Sequence, residues 1–203
     1  AGKQPIEPGD VCWADLNNDG VINNLDRVKV GNLFPTVTGG FSTTLGYKDF
    51  SLYARFDYAL GHTLYNDLAA RSLGQYQGSF NIIDMVKDSW SETNQNTDIP
   101  KFYYADQLSK KNITRSNNGL TAVDNNSSRF YEKGDYLALR EITLTWNLPK
   151  KWINKALMSN ASVYVTGQNL FYITGYTGVS PEPAVDTTYG QGLDNGRYPT
   201  PKT

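Results

Sequence analysis

A stretch from Asp15 to Asp26, DLNNDGVINNLD, has the residue types and spacing of a calcium-binding loop. Calcium binds about six to eight oxygen ligands, and alternate residues of a tight loop can point their oxygens at one centre. Gly20 occupies the sixth position, where such a loop must turn sharply. The predicted ligands are five side chains and the backbone carbonyl of the seventh position: Asp15, Asn17, Asp19, Val21, Asn23 and Asp26.

Two features of this loop depart from a full EF-hand. Asp26 closes the loop where a longer Glu is usual, and Pro8-Gly9 lies too close to Asp15 for a preceding helix. We therefore expect an EF-hand-like loop that binds Ca²⁺ without a helix pair. The alternative is an Asx-rich turn that binds no ion.

Outside this loop, the sequence gives no further candidate for a metal site, a disulfide or a catalytic site. The chain has one His, His62, and one Cys, Cys12, so it can form neither an ordinary zinc site nor an intrachain disulfide. We expect His62 to be a polar residue at a strand end. There is no G-x-S-x-G motif and no spacing that singles out a catalytic pair, so we predict no catalytic residues and no enzyme. The net charge of −1 gives no reason to expect a nucleic-acid partner.

Apolar and polar residues alternate over four stretches of the chain, and this alternation indicates β-strands. The predicted strands span residues 37–47, 50–60, 136–148 and 160–170. Their pattern predicts an all-β fold, with Lys48-Asp49 as a tight turn. Helical spacing is limited to a turn at Leu25–Val30 and an amphipathic helix at 79–90.

The strand lengths and the connections between them suggest a membrane. Eleven residues at ~3.3 Å each, tilted by ~40°, span about 28 Å, close to the ~25 Å apolar band of an outer-membrane barrel. Short connections at 48–49 and 149–159 alternate with long ones at 61–135 and 172–203, as periplasmic turns alternate with extracellular loops in such barrels. In the second strand, the residues expected to face lipid are Phe50, Leu52, Ala54, Phe56 and Tyr58. Those expected to face the lumen are Ser51, Tyr53, Arg55 and Asp57.

Several stretches occur in a recognisable order: EKGDYL at 132–137, LREITL at 139–144, LPKKW at 148–152 and GQNLF at 167–171. Together with the DxNxDG loop, they resemble the C-terminal end of the SusC/RagA-like TonB-dependent transporters. The resemblance implies an antiparallel transmembrane β-barrel segment of four strands with long extracellular loops, the final strand and the N-terminal plug being absent. Residues 1–35 would form a connection carrying the calcium loop, and 36–203 the barrel part.

The resemblance also implies a function and partners. Such a transporter imports glycans or peptides across the outer membrane of a Gram-negative bacterium, powered by TonB and covered by a SusD-like lipoprotein. Its partners would be the rest of the same transporter, including plug and other barrel strands, that lipoprotein, TonB and the substrate, whose contact residues are not predicted. The alternative is a soluble calcium-bearing β-sandwich module that binds glycans. The apolar face of strand 50–60 discriminates between them, because a sandwich would cover it with a second sheet.

Overall fold

Four long antiparallel strands form the main sheet, in the order β1-β2-β5-β6. They are β1 (Val37–Tyr47), β2 (Phe50–Leu60), β5 (Tyr136–Asn147) and β6 (Ser162–Thr174). The computed structural model describes residues 6–74, 84–103, 112, 127–182, 185–186 and 190–194. Within this part of the chain, no helix is long and apolar enough to cross a membrane.

Shorter elements lie in the connections. They are β3 (Thr63–Asn66), α1 (Asp67–Gly74), β4 (Tyr131–Lys133), α2 (Lys150–Ile153), β7 (Val185–Asp186), β8 (Gly190–Gln191) and β9 (Leu193–Asp194). Strands β4, β3 and β9 form a second sheet in that order, and β7 pairs with β8. Single 3-10 turns lie at Asn24–Asp26, Asp84–Asp88, Ser128–Phe130 and Asn154–Ala156.

The sequence predicts the long strands more accurately than the helices. The bounds of β1 and β2 are those expected, whereas β6 begins two residues later than predicted and continues to Thr174, which pairs with Tyr136. The helical turn expected at Leu25–Val30 is wrong, because a 3-10 turn ends at Asp26 and Arg27 is already extended. Of the helix expected at 79–90, residues 79–83 lie outside the described part, and the remainder holds only the turn at Asp84–Asp88.

One face of the main sheet is apolar across all four strands. The register places apolar side chains in three rows: Tyr47, Phe50, Trp146 and Val163; Leu45, Leu52, Leu144 and Val165; and Phe41, Phe56, Leu139 and Phe171. Phe41 stacks on Phe56 at 4.9 Å between ring centroids. This face is also exposed within the described residues: Leu45 is 61% and Val165 73% accessible. Such a face needs a cover that is itself apolar.

A bulge centred on Arg140 preserves these rows. Arg140 has no partner in the β2 ladder, and on the other side it lies opposite both Asn169 and Leu170 of β6. Asn169 takes the left-handed conformation that such a bulge requires, with φ at 49°. Leu139 and Ile142 are three positions apart, so strict alternation would place them on opposite faces. The extra residue at the bulge brings both to the apolar face, and Arg140 lies on the polar face.

The chain divides into two compact units. The first comprises Ala1–Gly31, Tyr65–Glu132 and Ala184–Arg197, and the second comprises Asn32–Leu64, Lys133–Pro183 and Tyr198–Thr203. The main sheet belongs to the second unit. A small apolar core in the first unit contains Tyr65, Ala70, Phe130 and Leu193.

Candidate functional site

The segment predicted to bind calcium turns sharply at Gly20, and calcium binding there stays a prediction. Asn18 and Gly20 both have left-handed conformations, with φ at 58° and 80°, so the chain turns sharply at the predicted point. The Asp15 carboxylate accepts hydrogen bonds from the amides of Asp19, at 3.2 Å, and Gly20, at 2.7 Å. Asp19 in turn accepts from the Val21 amide at 2.8 Å. The loop is thus wound around the side chains of its own acidic residues.

Asp26 ties the end of the loop to its beginning. Its carboxylate accepts hydrogen bonds from the amide of Leu16, at 2.8 Å, and from that of Asn23, at 2.7 Å. These bonds to backbone amides, that from Asn23 first, lower the pKa of the Asp26 carboxyl below its ordinary value. Through these two hydrogen bonds Asp26 fixes the spacing between the two ends of the loop.

The donor set fits calcium in its chemistry. The side chains of Asn17 and Asn23 both donate through Nδ2 to Asp19 Oδ2, at 2.9 Å and 3.4 Å, so these three predicted ligands lie together. All the candidate atoms are oxygens, which a hard divalent cation prefers. In the part of the chain that the structure describes, no three His, Cys, Asp or Glu side chains group closely enough to hold a metal. A calcium ion here would therefore depend on the amide and carbonyl oxygens as well as the carboxylates.

A second polar cluster lies on the polar face of the main sheet, around Arg140. Its guanidinium is bidentate to Asp57, with Nη2 to Oδ2 at 2.8 Å, and also pairs with Glu182. The Tyr172 hydroxyl accepts from Nη1 at 3.2 Å and donates to Glu182 at 3.0 Å. Arg140 thus joins β2, β6 and the segment after β6, and the bulge is what brings it there. Strict alternation in the sequence did not indicate this role, because the partners of Arg140 lie far away in the sequence.

A shallow hollow of about 540 Å³ lies beside this cluster, and its lining also includes Phe41 and Phe56. Arg55, Asp57 and Arg140 line it, and Gly40 supplies no side chain to fill it. Arg55 lies opposite Glu141 in the register and is exposed. Charged side chains therefore face this hollow, while the other face of the same strands is apolar.

His62 stands just after β2, as expected, but it is buried, with 1% of its surface accessible. Its Nε2–H donates to the carbonyl oxygen of Pro181 at 3.0 Å, because a carbonyl can only accept. Gly134 makes room for the ring, since a side chain there would overlap it. His62 therefore anchors the segment after β6 to the end of the sheet, a role its position in sequence did not indicate.

Comparisons with known proteins agree with this geometry, although no family model matches the chain. TonB-dependent receptor P3 of Formosa agariphila is 32% identical over 203 residues, which cover 97% of this chain and 18% of that protein. TonB-dependent receptor P26 of the same organism is 30% identical over 208 residues, covering 99% of this chain and 19% of that protein. The chain therefore spans less than a fifth of the length of these relatives.

Solved structures of a peptide transporter give the same result for the fold. The RagAB peptide transporter matches with a TM-score of 0.57 and 26% identity, covering 82% of this chain and 16% of that one. The RagAB peptide importer in its closed-closed state matches with a TM-score of 0.56, also at 26% identity, over 82% of this chain and 16% of that one. None of these proteins is named as an enzyme.

An antiparallel sheet that is apolar on one face and polar on the other is consistent with a wall segment of a β-barrel. The chain belongs to the SusC/RagA-like TonB-dependent transporters, and it corresponds to a C-terminal barrel segment of these proteins.

Proposed function

We propose that this chain forms part of the wall and the extracellular loops of a TonB-dependent outer-membrane transporter in a Gram-negative bacterium. The observation that carries the proposal is the apolar face, which extends across β1, β2, β5 and β6 and is exposed at Phe41, Leu45 and Val165. A bilayer is an apolar cover of the right thickness, because β1 and β2 each contain 11 residues and tilted strands of that length span about 28 Å.

The opposite face supports a water-filled interior. Arg55, Asp57 and Arg140 all lie on it, and placing such charges against lipid would be costly. A soluble β-sandwich would instead bury the apolar face under a second sheet. The exposed rows of Phe, Leu and Val favour the transporter over that alternative.

The proposed activity is import of glycans or peptides, coupled to TonB through other parts of the transporter and assisted by a SusD-like lipoprotein. Family membership supports the coupling, and the two-component name RagAB of the matched structures supports a partner protein. The calcium loop would stabilise the first unit, since a bound ion replaces bonds among the loop's own side chains with stronger ones to the metal.

An uptake experiment tests the proposal. Cells that express the full-length transporter are given two fluorescent probes, a labelled oligosaccharide mixture and a labelled hexapeptide mixture, in the presence and absence of TonB. One probe should accumulate in the periplasm only when both the transporter and TonB are present. Equal accumulation without TonB, or no accumulation of either probe, would contradict the proposed function.

A further inference from the structure

The turn between β1 and β2 and the connection between β5 and β6 meet at one end of the main sheet. The amide of Asn147, the last residue of β5, donates to the carbonyl of Asp49 at 2.8 Å. Beside this bond the ring of Phe50 stacks on that of Trp146, with 5.9 Å between the centroids. Both segments belong to the second unit, so they form one surface. We call it the turn surface, and it comprises residues 47–50 and 146–161.

The connection after β5 has a defined fold of its own. The amide of Leu148 donates to the carbonyl of Ala161 at 2.9 Å, which ties the two ends of the connection together. The amide of Trp152 donates to the carbonyl of Pro149 at 2.8 Å as α2 begins, and Ile153 is buried beneath it, with 3% of its surface accessible. The exposed side chains of this connection are therefore held on a fixed backbone.

Three of these exposed side chains are apolar. Trp152 is 58% accessible and lies edge-on to Trp146, at 5.9 Å between ring centroids. Met158 is 46% and Leu157 97% accessible. Leu157 also has a φ of 57°, in the left-handed region that favours glycine. A leucine at such a position makes almost no contact within the described residues, so its apolar surface is available to a partner.

The turn surface is also strongly basic. Its sequence contains four lysines and a single acidic residue, Asp49. All four lysines are exposed, and within the described part of the chain none of them forms an ion pair with a carboxylate. The lysines are Lys48, Lys150, Lys151 and Lys155. Four positive charges against one negative charge, next to exposed apolar side chains, fit a partner that is both anionic and apolar.

We propose that the turn surface binds an anionic phospholipid of the periplasmic leaflet. The lysine ammonium groups pair with the lipid phosphate, since anionic lipids attract lysines near a membrane surface. Trp152, Leu157 and Met158 contact the acyl chains just below the headgroup, where tryptophan is favoured. Lysine stems lie along apolar surface while their charges reach the headgroup level. The inference rests on the proposed function for placing this end of the sheet at the periplasmic surface.

The position of the turn surface favours a lipid over an acidic protein. It adjoins the row formed by Tyr47, Phe50, Trp146 and Val163, which belongs to the apolar face that the proposed function places against the bilayer. A phospholipid supplies a charged headgroup and an apolar chain at that same boundary. An acidic protein would complement the lysines but would leave the apolar row without a cover.

Native mass spectrometry of the full-length transporter in detergent tests the inference. The protein is titrated with phosphatidylglycerol and with phosphatidylethanolamine of the same acyl chains, and separately with lipopolysaccharide. Glycerol 3-phosphate, a headgroup without chains, is added in excess as a competitor. A first variant removes three charges of the turn surface: Lys150→Gln, Lys151→Gln and Lys155→Gln. Its matched control removes three charges from exposed lysines elsewhere: Lys29→Gln, Lys87→Gln and Lys133→Gln.

A second variant, Leu157→Gly, separates lipid contact from folding. Glycine adopts the φ of 57° readily, so the substitution should not destabilise the connection. It removes a side chain that is 97% accessible, and a purely structural role would therefore leave lipid binding unchanged. We expect Leu157→Gly to weaken phosphatidylglycerol binding several-fold while the melting temperature is maintained.

The unaltered transporter should bind phosphatidylglycerol about tenfold more tightly than phosphatidylethanolamine. Each lysine near an anionic lipid contributes roughly fivefold, so the triple variant should lose the preference, whereas its control should keep it. Glycerol 3-phosphate should not displace the lipid, because it lacks the chains.

Four results would overturn the inference. The two phospholipids could bind equally well, or the triple variant could bind phosphatidylglycerol as tightly as its control. Displacement by glycerol 3-phosphate would make this a site for free phosphate, and lipopolysaccharide binding that depends on the three lysines would place the turn surface in the opposite leaflet. Failure of the transport proposal looks different, because uptake would then not require TonB while the lysine-dependent lipid preference remained.

Discussion

Asp19 occupies the centre of the predicted calcium loop, where both of its carboxylate oxygens are engaged. Oδ1 accepts from the Val21 amide and Oδ2 from the side chain of Asn17. Asp19→Ala should therefore abolish calcium uptake by the loop and loosen residues 10–35, because it removes both a charged ligand and three internal hydrogen bonds, from Val21, Asn17 and Asn23. Titration of calcium into the intact transporter measures the first effect, and hydrogen exchange of the loop amides measures the second.

Asn24→Ala is a suitable comparison, since Asn24 lies in the same loop outside the predicted ligand set and its side chain accepts a hydrogen bond from Arg27 Nη2 at 2.7 Å. It should retain calcium binding. If the unaltered transporter takes up no calcium, the loop is the Asx-rich turn considered as the alternative.

Tyr103 offers a second test at the level of one side chain. It is buried, its hydroxyl donates to Asp10 Oδ1 at 2.7 Å, and burial followed by this bond raises the pKa of the phenol well above its ordinary value. Because the folded pKa is the higher one, this contribution to stability is complete below about pH 10 and is lost as pH rises through the folded pKa.

Tyr103→Phe should therefore reduce stability by about 1 kcal/mol at neutral pH, and the loss should shrink above pH 10. Thermal melts of both proteins at pH 7 and pH 11 measure this difference. A loss that is the same at both pH values would show that the phenol is not held neutral by the fold. Tyr47→Phe, at an exposed tyrosine, serves as the control.

At the scale of elements, β2 is the strand whose two faces can be tested most directly. Ala54 lies on the apolar face opposite Thr43 and Ile142, and it is 8% accessible. Ala54→Arg should cost ~2–4 kcal/mol if this position lies near the bilayer midplane. Reversible unfolding in lipid vesicles gives the value, and Ser51→Arg on the opposite face should cost far less.

Spin labels provide an independent check of the same assignment. Labels at Leu52 and Phe56 should report lipid, and labels at Ser51 and Tyr53 should report water. The reverse pattern would require a register shift of one residue, because such a shift exchanges the two faces of a strand.

Local alternation explains why β1 and β2 could be predicted from sequence and why other features could not. Successive side chains of these strands point to opposite faces of the sheet, and the Lys48-Asp49 turn fixes the register between the two strands. In β5 the alternation of faces is interrupted at Arg140, because the bulge depends on partners in two other strands. The role of Arg140 therefore required the positions of Asp57, Tyr172 and Glu182, which lie far apart in sequence.

The sharp turn of the loop at residues 15–26 could also be predicted from sequence, because it depends on residues that are close together in the chain. Its sharp turn needs Gly20, and its carboxylates reach amides only a few residues away. The hollow of about 410 Å³ beside Trp90 was not predictable, because its lining joins residues near 10, 98 and 129. Only tertiary packing brings such distant segments together.

For the whole molecule, the exposed apolar face predicts how the 203 residues behave on their own. The edge strands of the main sheet are β1 and β6, so their outer backbone groups would be open to pairing with another chain. Expressed without detergent, the chain should aggregate, and detergent should relieve the aggregation. Light scattering and circular dichroism measure size and strand content. A monodisperse, cooperatively melting monomer without detergent would contradict the assignment of a lipid-facing wall.

The pairing of β2 with β5 has a consequence for the order in which the sheet assembles. β1 joins β2 through two residues, and β5 joins β6 through a short connection, but residues 61–135 separate β2 from β5. Closing so long a loop carries a larger entropic penalty and is slower than closing a hairpin. The two hairpins should therefore form early, and their docking along the β2–β5 seam should be the late, rate-limiting step. Asp57 and Arg140 face each other across this seam, and their ion pair forms only when the two halves have met.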